Sequence, residues 1–263
     1  MVEKRKANSA ANASEKQDGN EELILEGRNS VLEALRAGRT IDKIYLSSGD
    51  SDHGLVRIAA LAKQAGIVVT RVDRRKLDQM SVTHAHQGVI ATAAAHSYCS
   101  VEDILRFAEE KGEPPLIVIC DEVSDPHNLG AIIRTAECVG AHGLIIPKRR
   151  SAGLSAVVSK ASAGAVEYLP IAKVSNLVQT IEQLKKEGVW IYGTAASGSS
   201  SLYETDFSGP AALIIGSEGD GMSRLVSEQC DFRVSIPMKG HIDSLNASAA
   251  AAVLLYEVLR QRS

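Results

Sequence analysis

An α/β fold built on a mostly parallel sheet is what this sequence predicts, and three observations carry the prediction. Short apolar runs alternate with segments whose apolar residues recur at helical spacing, the pattern of strands covered by helices on both faces. Nearly every strand-like run in the second half of the chain is followed by residues rich in Gly, Ser, Asn or charge. Charge is also divided unevenly, so that a smaller basic unit precedes a larger acidic one.

Residues 1–22 hold almost no apolar side chains and are expected to form a disordered tail. Residues 23–96 read as a small α/β/α unit. In it GRNSVLEALRAG is a short helix ended by Gly38, IDKIYLS a strand, and LVRIAALAKQAG an amphipathic helix closed by Gly66. IVVTRVD is the next strand, RKLDQMS a short helix and GVIATAAA the last strand. Residues 97–113 are expected to be a linker, partly helical. From 114 to 263 a second α/β series has strands near LIVIC, GLIIP, VEYLPI, VWIYG, AALIIG and RVSIP. Its helices centre on 128–139, 154–162, 177–186, 222–228 and 246–262.

Composition narrows the class of function. The formal charge is −3, the hydrophobic content 44%, and no apolar run reaches the roughly 18 residues a membrane helix needs. With no signal-peptide h-region, a soluble cytoplasmic protein is expected. The four cysteines form no CxxC pair and are expected to be reduced thiols. His127 beside Asn128, His84 with His86, and Cys138 with His142 lack a complete ligand set at recognisable spacing, so no metal is expected. The segment 23–96 carries ten Lys/Arg against seven acids, a surplus that suits a polyanionic partner.

In an open parallel sheet, ligands gather beyond the carboxyl ends of the strands. The first such exit is DEVSDPHNLGAIIRTAE, residues 121–137. Asp125-Pro126 is a good helix start, and Leu129, Ile132, Ile133 and Ala136 form a core-facing stripe. Asn128 and Arg134 sit in or beside that stripe as polar misfits. The second exit, GSEGDGM from Gly216 to Met222, is glycine-rich but is neither GxGxxG nor a Walker A loop. Its acids would repel a pyrophosphate, so a neutral or cationic ligand fits better. The third, MKGHIDSLNASAAAAVLLYEVL, offers Ser244, Asn246 and Ser248 together where one would suffice to cap the helix. Lys148, Arg149 and Arg150 follow a strand at the presumed site edge, where they suit either phosphate contact or solvation. The absence of G-x-S-x-G argues against a Ser–His–Asp hydrolase.

Together, DEVSDPHNLGAIIRTAE, LIIGSEGDGMS and VSIPMKGHIDSLNASAAAAVLLYE resemble, in order, the three motifs of the SpoU/TrmH family of RNA ribose 2′-O-methyltransferases, in the SPOUT superfamily. EGRNSVLEAL and HQGVIA resemble that family's substrate-binding domain, akin to the ribosomal L30e fold. The resemblance implies a C-terminal SPOUT domain with a trefoil knot, a homodimer, and S-adenosylmethionine (AdoMet) bound in the knot. It implies 23S rRNA as substrate, at a guanosine of the peptidyl-transferase region. It assigns catalytic roles to Asn128, Arg134, Glu218, Ser244 and Asn246, and cofactor contacts to Gly216, Ile236 and Leu245, with Thr194 and Met238 as neighbours. Arg28 joins Lys148, Arg149 and Arg150 as expected RNA contacts. A guanidinium rarely gives up its proton, so Arg134 is expected to bind phosphate and stabilise developing alkoxide charge.

Overall fold

The computed structural model describes residues 22–49, 52–195 and 200–263, so all but the last residue of the expected N-terminal tail lies outside the described residues. The first unit runs β1 (Glu22–Glu26), α1 (Arg28–Arg36), β2 (Ile41–Ser47), α2 (His53–Gln64), β3 (Val68–Val72), α3 (Arg74–Met80) and β4 (Val89–Ala94). Its sheet has the order β1-β4-β2-β3. Strand β1 was not singled out by periodicity, because only three apolar residues stand there between acids. It pairs antiparallel with β4, Leu25 opposite Ala91, and makes this small sheet mixed. Leu25, Val31, Ile44, Leu55 and Ile58 fill its core.

Residues 97–113 contain α4 (Val101–Lys111), begun by a reciprocal Ser100–Asp103 capping box and ended by Gly112 at φ 67°. Its Val101 and Ile104 pack into the core of the second unit. That unit continues with β5 (Leu116–Cys120), α5 (Pro126–Cys138), β6 (Gly143–Pro147), α6 (Ala156–Ala161), β7 (Ile171–Val174) and α7 (Leu177–Lys186). It closes with β8 (Trp190–Thr194), β9 (Ser200–Ser201), β10 (Ala211–Ile215), α8 (Arg224–Glu228), β11 (Phe232–Ser235) and α9 (Ala247–Arg262). The seven strands lie in the order β7-β6-β5-β10-β8-β11-β9, and every pairing is parallel. Strands β5 and β10 are buried along their whole length, as expected for a sheet covered on both faces.

One expected strand is displaced. VEYLPI does not form a strand from Val166: Ala165–Glu167 is a 3-10 turn entered from Gly164 at φ 91°. The strand begins after Pro170, at Ile171. Val166 and Leu169 are buried there as plugs of the core rather than as rungs of the sheet. Apolar content was read correctly, and the backbone turn at Gly164 decided its use.

Because all seven strands point the same way, the exits after β5, β6, β8, β10 and β11 open on one edge. β6 and β7 lie to one side of β5, with β10 and β8 on the other, so the order reverses beside β5. The loops after β5 and β10 therefore flank the crevice where such sheets bind ligands. The first unit is joined to the second around α6. Ser30 Oγ donates to the Ser159 carbonyl at 3.3 Å, Lys160 Nζ to Thr83 Oγ1 at 2.7 Å, and Arg39 pairs with Glu167 at 2.7 Å.

Candidate active site

Helix α5 starts as its sequence dictates. Asp125 accepts a hydrogen bond from the His127 amide at 2.9 Å, and Pro126 occupies the first turn, where no amide donor is needed. The helix buries Leu129, Ile132, Ile133 and Ala136, and with them Asn128. Gly130 lies against α6, where a Cβ would collide with Ala161 and with the Val158 and Ser162 backbone. That close approach fixes α5, and so the direction of Asn128.

A buried amide must find partners or incur a desolvation cost of about 1–3 kcal/mol. Asn128 finds both of its partners in the other two motifs. Its Nδ2 donates to Glu218 Oε1 at 2.9 Å, and its Oδ1 accepts from Asn246 Nδ2 at 3.0 Å. Asn246 Nδ2 also donates to Glu218 Oε1. The other end of the Asn246 amide caps α9: its Oδ1 accepts from the Ser248 and Ala249 amides at 3.0 and 3.3 Å. Capping and site lining, two alternatives for this residue in the sequence, are thus carried by one side chain.

The glycine-rich exit after β10 is held by Asp121, which the sequence reading passed over. This buried carboxylate accepts from the Ser223 amide at 2.7 Å, tying the end of the 216–223 loop to the end of β5. A lone acid closing the otherwise apolar run LIVIC was the available signal. Ser217 and Gly221 close the loop on itself by reciprocal backbone hydrogen bonds. At Gly216 a Cβ would run into the Gly221 and Met222 backbone, so the loop folds back at a distance only glycine permits.

Beside this junction lies a cavity of about 180 Å³. Thr194, Gly216, Ile236, Met238 and Leu245, the five expected cofactor contacts, line it together with Glu218 and Ser244. Ile215, Val234, Ala247 and Ala250 add apolar wall, Ser217 and Asp243 polar wall, and Glu218 is the acid that bonds the Asn128–Asn246 pair. A largely apolar slot with exposed glycine backbone and two carboxylates, Glu218 and Asp243, suits a flat, uncharged ring attached to a cationic centre. The nearby Cys120 thiol is no nucleophile: burial, and next the Asp121 carboxylate, push its pKa up to about 12.

Of the remaining expected residues, only Ser244 is brought to this point. Arg134 is exposed on α5, about 9 Å along the axis and about a third of a turn from Asn128. It makes no hydrogen bond or ion pair among the described residues, Glu137 included. Ser244 lines the cavity without a hydrogen bond among the described residues. Arg28 pairs with Asp52 at 2.8 Å, and Arg150 with Glu122 at 2.8 Å, whereas Lys148 and Arg149 are exposed and unpaired among the described residues. No group of three or more His, Cys, Asp or Glu suited to a metal occurs among the described residues, and no helix there is long and apolar enough to cross a membrane.

Comparison with known proteins points the same way. Residues 115–256 match the SpoU rRNA Methylase family, and residues 24–99 match RNA 2′-O ribose methyltransferase substrate binding. A protein of Bacillus subtilis named for the TrmH family of tRNA/rRNA methyltransferases, YacO, is 49% identical over 90% of this chain and 95% of its own length. The SpoU methyltransferase AviRb of Streptomyces viridochromogenes, solved in complex with AdoMet, superposes with a TM-score of 0.78 at 27% identity, over 92% of this chain and 90% of that one. An RNA 2′-O ribose methyltransferase structure superposes with a TM-score of 0.76 at 26% identity, over 100% and 97% of the two chains. By these matches over both of its units, the chain belongs to the SpoU rRNA methylase family.

Proposed function

We propose that this chain transfers the methyl group of S-adenosylmethionine to a ribose 2′-hydroxyl of ribosomal RNA. The observation that carries the reading is the junction of Asn128, Glu218 and Asn246 beside the cavity at the carboxyl edge of the sheet. Three segments up to 118 positions apart supply one hydrogen-bonded cluster there. The cavity's apolar wall and its two carboxylates, Glu218 and Asp243, fit the adenine ring and sulfonium of that cofactor, and the AdoMet complex of AviRb supports it. Thr194, Gly216, Ile236, Met238 and Leu245 would hold it. The finer target, a guanosine in the peptidyl-transferase region of 23S rRNA, rests on the sequence resemblance, and the cytoplasm is where that RNA is made.

When bound, the cofactor supplies a methyl group on a cationic sulfur, which needs little further activation. The chain's residues must therefore orient and acidify the ribose hydroxyl, and orientation alone is worth roughly 7–11 kcal/mol. Asn128 and Asn246, each fixed through the other, present a rigid polar edge beside the cavity. Ser244 has its hydroxyl free to hydrogen-bond a ribose. Arg134 would bind the adjacent phosphate and stabilise alkoxide charge as it develops.

Arg134 points away from its own chain's junction, and a second copy resolves that separation. Leu245, Met238 and Ile242 are exposed apolar residues on the loop before α9, with Ile242 at 74% exposure. Ala249, Val253 and Tyr256 continue an exposed stripe along α9 at helical spacing. In the homodimer we propose, a second copy covers that face and one protomer's Arg134 serves its partner's cavity.

Methyl incorporation into unmodified 23S rRNA, with Arg134→Ala as control, tests the proposal. The expected result is one modified ribose, lost in the variant. Wild-type protein that binds rRNA yet transfers no methyl would make it a binding factor instead. Relatives such as YacO carry both tRNA and rRNA in their names, so a tRNA transcript belongs in the same assay; methylation of tRNA alone would move the substrate class.

A further inference from the structure

Between the two units runs a cleft that the junction does not use. Its cavity of about 900 Å³ is bounded by residues 94–96 and Tyr98 on one side and 152–155 on the other, with Ser124, Pro126 and Lys173 completing it. A neighbouring cavity of about 530 Å³ shares Ala94, Ala95, His96 and Leu154 with it. The charges of that neighbour satisfy one another: Arg39 pairs with Glu167 and hydrogen-bonds His96 at 2.7 Å. The larger cleft differs. Its lining includes no Asp or Glu among the described residues, in a chain whose net charge is −3.

Its cation is Lys173, near the carboxyl end of β7. The Nζ sits 4.9 Å from the centre of the Tyr98 ring and has no carboxylate partner among the described residues. Tyr98 is itself fixed, its hydroxyl accepting from the Leu154 amide at 3.1 Å, and residue 99 bridges to Ala172 beside β7. An ammonium held over a ring whose far end is anchored is preorganised for an anion. Lys148 and Arg149 begin just beyond the carboxyl end of β6, paired to that of β7 through Pro147 and Val174. The Lys148 amide bonds the Val174 carbonyl at 2.8 Å. Three unpaired cations thus share the edge where two neighbouring strands end.

The cleft is also placed for a chain that passes the catalytic helix. Pro126, in its wall, stands in the first turn of α5. Arg134 follows about 12 Å along the axis and only about 80° round, on the same flank, whereas Asn128 faces the other way. At 3.4 Å per stacked nucleotide, 12 Å is about three to four nucleotides.

We propose that this cleft binds the RNA strand flanking the target nucleotide, with a phosphodiester on Lys173, an adjacent base or ribose against Tyr98, and Lys148 and Arg149 receiving the next phosphates. The proposal rests on the RNA methyltransferase reading and adds a second contact region to it, on the far side of α5 from the cavity. Phosphate contacts of this kind set register without reading sequence.

The test uses the full chain and labelled 23S rRNA transcript in filter binding across a salt series. Lys173→Gln should weaken binding about tenfold at about 0.1 M salt and lower the slope of log affinity against log salt by about one. Lys173→Arg should restore both. Lys111, 4.5 Å from the Phe107 ring on α4 and outside the cleft, is the control, and Lys111→Gln should change neither. RNA carrying 4-thiouridine should cross-link to Tyr98. Unchanged affinity and slope in Lys173→Gln would overturn the proposal, as would inorganic phosphate occupying the cleft without displacing RNA. Lys173-dependent binding by a protein that transfers no methyl would instead sink the proposed activity and leave the cleft standing.

Discussion

Asn246 and Asn128 share a hydrogen bond of 3.0 Å across 118 positions of sequence, and Asn246 caps α9 with the opposite end of the same amide. Its two roles are separable by substitution. Asn246→Ala should lose both, destabilising the fold by about 1 kcal/mol through the missing cap and abolishing methyl transfer. Asn246→Asp keeps a good capping oxygen but replaces the amide donor by a carboxylate facing Glu218. Denaturant unfolding of the Asp variant should therefore register only the orphaned Asn128 oxygen and the facing carboxylates, a cost of about 1–3 kcal/mol with the cap intact, while methyl transfer falls at least about tenfold. A fully active Asp variant would show that the donor is unnecessary.

Much of this junction was legible beforehand, and the boundary of legibility has physical causes. Asn128 stood out because an amide on an apolar helical stripe needs a partner, and the partner had to come from elsewhere in the chain. Asp121 has the same logic, but a strand end tolerates an acid, so its place after LIVIC was a weak mark, and its meaning comes from the Ser223 contact. Periodicity also overlooked β1, whose three apolar residues gain their meaning only from pairing with β4. It misplaced the strand at VEYLPI because a turn at Gly164 cannot be read from apolar content. Arg28, an expected RNA contact, pairs in the fold with Asp52. Charge in a sequence shows supply and not use.

Gly216 provides a test of the cavity that leaves the polar junction alone. A methyl group there meets backbone rather than a movable side chain, so the loop must open to accommodate it. Overpacking of this kind costs about 1–3 kcal/mol, and the displaced loop would intrude on the cavity. Gly216→Ala should therefore bind S-adenosylmethionine at least about tenfold more weakly in calorimetry, while circular dichroism shows the fold intact. Wild-type cofactor affinity in that variant would move the cofactor away from this loop.

The contact between the two units should respond to acid. Burial, and then the Arg39 charge, push the His96 pKa down from 6.5 to about 3, and its ring is hydrogen-bonded to Arg39 at 2.7 Å. The folded protein keeps His96 neutral while the unfolded chain protonates it. Its stabilising effect is complete above about pH 6.5 and is lost as pH falls from there towards 3, by up to about 1.4 kcal/mol per pH unit. Glu167 acts in the opposite sense. Burial raises its pKa against the pull of Arg39, so the folded form takes up that proton first on acidification and gains stability below its raised value. The histidine alone predicts a loss of stability that begins just below about pH 6.5. His96→Gln, which keeps an acceptor for Arg39 but cannot titrate, should show a flatter profile in thermal unfolding between pH 7 and about 5.5. Parallel profiles would mean that His96 does not govern the acid response.

Arg134 lies a third of a turn from the junction and has no partner among the described residues, so Arg134→Ala should leave stability within about 0.5 kcal/mol of wild type. Its loss should appear in methyl transfer alone. If the proposed homodimer forms, mixed dimers decide which protomer it serves. Arg134→Ala and Asn246→Ala each inactivate every site of their own homodimers. Where Arg134 acts across the interface, a heterodimer of the two keeps one intact site, built from the cavity of the Arg134→Ala chain and the arginine of the Asn246→Ala chain. The expected activity is about half that of wild type. Where Arg134 serves its own chain, both sites in the heterodimer carry a lesion and none of the activity returns. The exposed stripe of Val253 and Tyr256 and the distance of Arg134 from its own Asn128 favour the first outcome, and tagged heterodimers purified over two affinity steps would measure it directly.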